Sequence, residues 1–301
     1  MHTRVRATSI AVVAALSVHA SVLRGQSADY VAPRAADGRP DLNGIWQAVN
    51  TANYDLEGHA ARPAMALMPT PRSSEPPGTA RATPGALPAP SVRALGAVGG
   101  VPAGQSVVVE GEIPYQPWAL ERKRENAEQW LERDPEIKCF LPGVPRATYL
   151  PYPFQIFQGT DKILIAYEFA GASRTIHMDD VGSSPSPTWM GWSLGRWEGD
   201  TLVVDVTGFN GQTWFDRAGN FHSDALHVVE RYTPVSPNHL MYEATIEDPN
   251  VFTAPWTIRM PLYRRLEPNK QLLEYECVEF VEQLMYGELG VTDPATGQQN
   301  Q

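Results

Sequence analysis

The sequence predicts an all-β fold, mainly antiparallel, in the form of an up-and-down barrel or another closed meander. Two observations support it. Short runs rich in β-branched and aromatic residues recur about every ten residues after Cys139, and turn sequences such as Glu198-Gly199-Asp200 separate them. Because connections this short leave no room for crossover helices, parallel α/β architectures are excluded. The chain of 301 residues, 43% of them hydrophobic, is long enough to build such a core.

Residues 1–26 have the layout of a secretory signal peptide. Arg4 and Arg6 precede an apolar stretch, which ends at small residues typical of a signal peptidase site. The apolar stretch is short for a membrane span, and no later segment reaches about 18 consecutive apolar residues. We therefore expect export to the periplasm or the extracellular space, with no membrane span after cleavage. Residues 27–57 form an N-terminal extension that holds the first predicted strand, at 45–49.

A segment of unusual composition follows at residues 58–112. Its first 47 residues contain nine Pro, seven Gly and 11 Ala and scarcely any aromatic or β-branched residues. Such a segment buries little surface and is expected to be flexible. The domain proper is predicted to span 113–290 and to begin with one helix over 117–133, where good helix formers dominate. Residues 291–301 are expected to be a disordered tail.

Eight further strands are predicted after the helix. They lie at residues 154–158, 163–169, 174–178, 201–207, 226–233, 240–247, 256–264 and 272–280. Near the N-terminus, Gly44-Ile45-Trp46 resembles the Gly-x-Trp triplet with which lipocalin barrels begin. The expected barrel is therefore lipocalin-like, with neighbouring strands joined by tight turns.

Cys139 and Cys277 are the only cysteines in the chain. Export to an oxidising compartment favours a disulfide between them, with two buried thiols as the alternative. Neither cysteine has another Cys or a His at ligand spacing, which argues against a cysteine metal site.

Charge and aromatic content narrow the class of partner. The net charge of -10 and the lack of a basic run in the sequence exclude nucleic acid and disfavour anionic ligands. Eight tryptophans are many for this length, and Trp189 and Trp214 lie in or beside the β region. Inside a barrel, such side chains suit a flat apolar or aromatic small molecule, and sugar stacking is an equally open alternative. The oligomeric state is left open.

The densest polar cluster lies at residues 216–231. If its C-terminal part is a strand, Glu230 and Tyr232 share one face while His227 and Arg231 share the other. A carboxyl or imidazole group that faces an apolar interior acquires the shifted pKa that acid-base catalysis needs near neutral pH. We therefore expect His227, Tyr232 and Arg231 to contact a bound ligand, together with the two tryptophans.

Catalysis is assigned to four residues in or near this cluster. His222 and Glu230 are expected to exchange protons, while Asp224 and Asp205 orient them. Asp205 is included because it interrupts the apolar strand at 201–207, and a buried carboxylate must be paired or functional.

A purely structural arrangement of the same cluster remains open. Glu230 and Arg231 would then pair across strands with Arg259 or Glu243, and the histidine would only support a loop. Paired charges of this kind stabilise a sheet without taking part in chemistry.

A metal site is another alternative, in which His222, Asp224 and His227 ligate a divalent cation. It requires a bent loop, because an extended strand would separate the third ligand from the second. The leading expectation is no metal and no organic cofactor, since the sequence lacks the nucleotide-binding and zinc-protease signatures.

A serine nucleophile is also considered. The pentapeptide at residues 191–195 matches the G-x-S-x-G pattern of serine hydrolases, with Ser193, His222 and Asp224 as the triad. The pattern requires a tight turn from a strand into a helix, whereas here the chain continues into another strand. A glycine-bracketed loop is the structural interpretation.

Three longer motifs resemble an uncharacterised family of secreted bacterial proteins. They are GRWEGDTLVVD at 195–205, GFN at 208–210 and HSDALHVVER at 222–231. Shorter similar stretches extend the resemblance over residues 139–279. The resemblance implies export and a shared polar cluster, but no reaction.

The chain departs from this family at two places. Family members carry a His-Pro pair after Asp-Gly and a His before the serine, where this chain has Asp179-Asp180 and Trp192. If those histidines serve catalysis in the relatives, this protein has lost or altered that chemistry. The polar residues of the cluster at 222–230 are still present despite these two differences.

Three functions are carried forward. The leading hypothesis is an exported small-molecule enzyme, a lyase, isomerase or hydrolase, that performs His/carboxylate acid-base chemistry in the barrel cavity without an organic cofactor. The alternative is a periplasmic carrier of an apolar or aromatic small molecule, whose polar residues only support the structure. The third is a serine hydrolase that uses Ser193.

Overall fold

The protein is described from a computed structural model, in which residues 30–61, 101–275 and 277–279 are placed. The expected signal peptide, residues 62–100 of the Pro/Gly/Ala-rich segment and the expected C-terminal tail lie outside the described residues. The described residues from Ala32 onward form one compact unit. Its centre is a closed β-barrel of nine strands, so the prediction of an all-β barrel preceded by a helix is confirmed.

The strands follow one another around the barrel in sequence order. They are β1 (Gly44–Ala48), β2 (Phe154–Gln158), β3 (Lys162–Tyr167), β4 (Ser173–His177), β5 (Trp192–Glu198), β6 (Thr201–Thr207), β7 (His227–Ser236), β8 (His239–Glu247) and β9 (Trp256–Arg264). The helices are α1 (Pro117–Glu128), α2 (Trp130–Arg133) and α3 (Arg146–Tyr149), with 3-10 turns at Pro135–Lys138 and Phe169–Gly171.

All neighbouring strands pair antiparallel except β4 and β5. β1 closes the barrel by pairing with β9. The parallel pair is short, because only Ile176 with Ser193 and His177 with Leu194 are in register. The connection between β4 and β5 must therefore carry the chain from one end of the barrel back to the other.

Four expectations from the sequence are corrected. The segment at 191–195, which includes the start of β5, was expected to be a loop, because Gly191 and Gly195 lower the β-propensity there. The predicted strand at 272–280 is not formed by its described residues. The single helix at 117–133 is divided at Gln129, whose backbone leaves the helical region. The last part of the segment that was expected to be flexible is placed against the barrel, since Val107 and Val109 hydrogen-bond with β9.

The barrel has two distinct ends. The tight turns β2–β3, β5–β6 and β7–β8 lie at one end, here called the turn end, and residues 34–43 run across it. In that segment Arg34 pairs with Asp200 at 2.8 Å, and the Leu42 N–H donates to Gln158. The longer connections β1–β2, β3–β4, β6–β7 and β8–β9 lie at the opposite end, the loop end. Helix α3 lies within these connections, and all four of its residues are buried.

Alternation along the strands builds the core. Inward positions are buried and mostly apolar, and they include Trp46, Phe154 and Trp256. Cys139 and Cys277 form a disulfide, as predicted, and thereby hold the chain after β9 against the 3-10 turn before α3. Among the described residues, no helix is both long and apolar enough to cross a membrane.

Candidate functional site

A charged pair lies inside the barrel. Arg174 on β4 donates from both terminal nitrogens to the carboxylate of Glu230 on β7, at 2.6 and 3.0 Å. The two side chains are 2% and 0% exposed. Two unit charges at this depth are stable only as a pair, since an isolated ion in an apolar interior is very costly.

Hydroxyl groups surround this pair. Tyr232 and Tyr242 donate to the same oxygen of Glu230, Oε1, at 2.9 and 2.8 Å. Arg174 Nη2 also donates to the Tyr232 hydroxyl at 2.9 Å, which Thr148 of α3 approaches to 3.5 Å. We call Arg174, Glu230, Tyr167, Tyr232 and Tyr242 the interior cluster.

One polar atom of the interior cluster, Nε of Arg174, lacks a hydrogen-bond partner among the described residues. The Tyr167 hydroxyl lies close to Thr148 and Arg174, and although burial raises its pKa, hydrogen bonding to these two side chains lowers it. Tyr167 lies on β3, where its neighbour Ile165 is in register with Arg174. Leaving a buried polar group unpaired costs about 1–3 kcal/mol, so the interior cluster keeps hydrogen-bonding capacity that the chain itself does not use.

The electrostatics keep the Arg174 guanidinium and the tyrosine hydroxyls protonated. Burial lowers the pKa of Arg174, but the Glu230 carboxylate outweighs burial, and the net pKa is well above its ordinary value. Burial and then Glu230 raise the pKa of Tyr232 and Tyr242. Burial likewise raises the pKa of Tyr167, although the nearby Arg174 charge opposes it. Because Arg174 and Glu230 form a salt bridge, their formal charges cancel within the interior cluster.

Glu230 and Tyr232 share one face of β7, as strand alternation predicted, and the structure shows that this face is the inward one. Both are buried, while the intervening Arg231 points outward and pairs with Glu198 at 2.9 Å. The expected cross-strand partners of Glu230 are wrong, because Arg259 pairs with Glu243 on the outer surface. The barrel closure brings β4 close to β7 across the interior, which local sequence patterns do not reveal.

His222 lies in the β6–β7 connection at the loop end and is 3% exposed. Its Nδ1 donates to the Ser223 carbonyl at 2.7 Å, so Nε2 is the atom that accepts the Thr213 hydroxyl at 2.5 Å. Burial lowers the pKa of this imidazole. Phe209 and Phe215 contact the ring. Both nitrogens are thus occupied by structural partners.

His227 lies on the outer surface of the barrel. Its Nε2 is 3.0 Å from Asp205 and its Nδ1 is 3.3 Å from Glu247, and all three side chains are partly exposed. The expectation that Asp205 is buried is corrected, because it faces outward and the histidine is its partner. The two carboxylates contact opposite edges of the ring, which is the wrong arrangement for one shared cation.

The remaining predicted site residues are dispersed. Asp224 is exposed in its loop, Trp189 packs on Phe140, and Trp214 forms an isolated bridge with Phe221. The four residues assigned to acid-base catalysis therefore lie in different places, and their catalytic role stays a prediction. Within the described part of the chain, no group of three or more His, Cys, Asp or Glu side chains is arranged to hold a metal.

Ser193 lies within β5 and not on a turn into a helix. Its side chain faces inward, 2% exposed, and its hydroxyl accepts from Arg174 Nη1 at 3.5 Å. Because both nitrogens of His222 are occupied by Thr213 and Ser223, the structure does not assemble the serine triad considered from the sequence.

An open cleft of about 250 Å³ lies outside the barrel, on the β8–β9 connection. Glu247 and Asp248 form its acidic wall. Asp248 already accepts hydrogen bonds from Ser223 and Asn250. The remaining wall is contributed by one contiguous loop, so this cleft offers few groups that converge on a ligand.

Sequence reasoning missed three members of the interior cluster: Arg174, Tyr167 and Tyr242. The sequence did contain a signal for Arg174. Arg174 and Ile176 lie two residues apart in a predicted strand, so they share one face, and the apolar Ile176 indicates that this face points inward. A charged residue at such a position indicates a buried partner or a bound ligand. The chain matches no known family model, and no curated protein has a matching sequence.

Proposed function

We propose that this protein is an exported small-molecule-binding protein, in which the barrel interior takes the ligand and the interior cluster recognises its polar group. The observation that carries the proposal is the charged and polar interior cluster inside the barrel, in which Arg174 Nε has no hydrogen-bond partner among the described residues. A ligand atom that pairs with this nitrogen recovers the free energy that burial costs.

The architecture supports binding. Small closed barrels have interiors just wide enough to be filled by side chains or to take one small ligand. Export is supported by the disulfide between Cys139 and Cys277, because such bonds persist in oxidising compartments. Binding is favoured over acid-base catalysis, since Glu230 is committed to Arg174 and His222 to structural partners.

The proposal is tested on full-length protein exported by a bacterial host. Native mass spectrometry detects a small molecule retained after purification, and Nile red, a neutral apolar dye, reports on binding by its fluorescence. The test variant is Arg174→Met/Glu230→Gln, in which the glutamine still accepts hydrogen bonds from the two tyrosines. We expect the retained mass to disappear and dye affinity to fall by at least about tenfold.

The matched control is Arg231→Met/Glu198→Gln, which removes an Arg–Glu pair from the outer surface. Its binding should equal that of the wild type. Equal dye affinity in both variants would overturn the proposal, as would a wild-type protein that retains no small molecule and does not bind the dye. Circular dichroism of each variant establishes that it is folded.

A further inference from the structure

We propose that the barrel opens at the seam between β4 and β5, and that this opening admits small molecules to the interior. The seam is defined here as the in-register pairs Ile176–Ser193 and His177–Leu194. The inference rests on the proposed function and adds a route of entry to it. Because the side chains of the interior cluster are buried in the closed barrel, a ligand needs an opening that also makes room for it.

Backbone pairing is weakest at the seam. Among the described strands, β4 and β5 have the shortest register of all neighbours in the barrel, and they form the only parallel pair. Parallel pairing is slightly less stable per residue than antiparallel pairing. By contrast, β5 pairs with β6 along its whole length. Separation of β4 from β5 therefore breaks fewer ladder hydrogen bonds than separation of any other two neighbouring strands.

Polar side chains line the inner face of the seam. Arg174 of β4 lies 3.5 Å from the Ser193 hydroxyl of β5 and 2.6 Å from the Glu230 carboxylate of β7. Buried ion pairs contribute little net stability, because water solvates both charges once it reaches them. Apolar side chains have no such compensation when they are exposed to water. Entry of water at the seam is therefore less costly than entry at an apolar part of the wall.

The outer face of the seam is covered by an aromatic contact and a long connection. His177 of β4 stacks on Trp192 of β5, with ring centroids 4.5 Å apart. Residues 179–187 of the connection between these strands are mostly exposed. Thr188, which follows them, donates from its backbone to the Gly208 carbonyl at 2.9 Å. The start of β5 is thus held to the β6 side, while the exposed residues before it allow β4 to move.

Thiol labelling measures the opening. Ser193→Cys places a thiol on the inner face of the seam, and Val204→Cys places one at an equally buried inward position of β6, between two long strand pairs. In full-length protein treated with methyl methanethiolsulfonate, the seam thiol should react at least about 100-fold faster, because it needs only a local opening. Its rate should depend weakly on urea, whereas that of the control should rise steeply, as global unfolding requires.

A cross-link across the seam tests ligand entry. His177→Cys/Leu194→Cys joins two outward positions in register, and neighbouring strands lie close enough for a disulfide. In stopped-flow fluorescence, Nile red should associate with the cross-linked protein at least about tenfold more slowly than with the wild type, because binding requires a conformational change that the bond prevents.

Two controls accompany the cross-link. His177→Ser/Leu194→Ser removes the same two side chains without forming a bond. Glu243→Cys/Arg259→Cys cross-links two outward positions of the long β8–β9 pair. Both variants should associate with the dye at least as fast as the wild type does.

The outcomes separate the two proposals. If the dye binds but the seam cross-link does not slow its association, or if Ser193→Cys reacts as slowly as Val204→Cys, the seam is not the gate and the proposed function still stands. If Ser193→Cys reacts rapidly but the wild type binds neither the dye nor a retained molecule, the barrel opens at the seam and the proposed function fails. The role of the seam in ligand entry is then overturned with it.

Discussion

The protein buries two arginines equally deeply, and it uses them differently. At the loop end, the three guanidinium nitrogens of Arg146 each donate to a different side chain: Asn53, Asp134 and Glu136. Inside the barrel, Arg174 directs its terminal nitrogens chiefly at Glu230 and leaves Nε unpaired. The side chains of both arginines are 2% exposed. The two arginines are thus equally buried, but only Arg146 has a hydrogen-bond partner for each of its three guanidinium nitrogens.

The partners of the two arginines explain the difference. Those of Arg146 all lie in the long β1–β2 connection, and Glu136 also accepts two hydrogen bonds from Arg217 in the β6–β7 connection. Burial raises the pKa of Glu136, but Arg217 and Arg146 outweigh it and lower the pKa to about 2. The loop-end network therefore joins chain segments, whereas the interior cluster joins strands that the barrel already holds together.

The largest expected effect on stability follows from Arg146→Met. The substitution leaves Asp134 buried without its cation, and removal of one partner from a buried pair costs about 3–5 kcal/mol. Urea unfolding, followed by tryptophan fluorescence, measures the loss. The control Arg231→Met removes a partly exposed arginine and should change the free energy of unfolding little. Similar losses in both variants would contradict a structural role for the loop-end network.

The sequence allowed much of the fold to be predicted, because strand alternation is a local property. The strands at Phe154–Gln158, Thr201–Thr207 and Trp256–Arg264 have the predicted bounds. β5 was missed because Gly191 and Gly195 suggest a loop, and only the barrel closure supplies its pairing partners. A parallel neighbour in a meander has no local signature.

The site was predicted only in part, for the same reason. Glu230 and Tyr232 were expected to share one face, and alternation within one strand suffices for that, although it does not show which face points inward. The pairing of Glu230 with Arg174 joins residues 56 positions apart, on strands that are not neighbours in the barrel. No periodicity encodes such a contact. His222 was assigned a catalytic role because it lies near carboxylates in the sequence. A histidine that only supports a loop can have the same neighbours, so the sequence does not distinguish the two roles.

Removal of the disulfide tests whether the loop end has a mainly structural role. Cys139→Ser/Cys277→Ser should lower the free energy of unfolding by about 2–4 kcal/mol, since the bond closes a long loop in the unfolded chain. The two cysteines are 138 residues apart. Urea unfolding measures the change, and Nile red affinity should stay at the wild-type value. A loss of binding without a loss of stability would place ligand recognition at the loop end instead.

Asp216 provides a pH-dependent test of the loop end. Burial and the nearby Asp55 raise its pKa to about 7. The folded state therefore holds the proton more tightly than the unfolded state, and the stability gained from protonation is lost as pH rises from about 4 to 7. The difference between wild type and Asp216→Asn should change by at most about 1.4 kcal/mol per pH unit over this range. Above pH 8 the difference should be constant.

Unfolding curves at each pH provide the measurement. Asp216 accepts hydrogen bonds from Leu56, Ala218 and Asn220, all of which favour the carboxylate. If the stability difference changes by less than about 1.4 kcal/mol per pH unit, the shortfall shows how far these donors lower the pKa of Asp216 against the effect of burial. A difference that does not vary between pH 4 and 8 would show that the carboxyl is already ionised throughout, and that burial does not control it.

The smallest expected effect on stability is that of the double variant Arg174→Met/Glu230→Gln, and it provides the sharpest comparison between the two arginines. Arg174→Met alone should destabilise the barrel by about 3–5 kcal/mol, because it leaves Glu230 uncompensated. Adding Glu230→Gln removes that charge and keeps an acceptor for Tyr232 and Tyr242. The double variant should return to within about 1 kcal/mol of the wild type, since buried ion pairs contribute little net stability.

The loop-end network should not recover in this way. In Arg146→Met/Asp134→Asn, Glu136 and Asn53 still lack a donor that they had in the wild type, so most of the loss should remain. Urea unfolding of both double variants in one series gives the comparison directly. If the interior variant stays as unstable as its parent single substitution, the Arg174–Glu230 pair is a structural support like Arg146, and its unpaired Nε is no indication of a ligand.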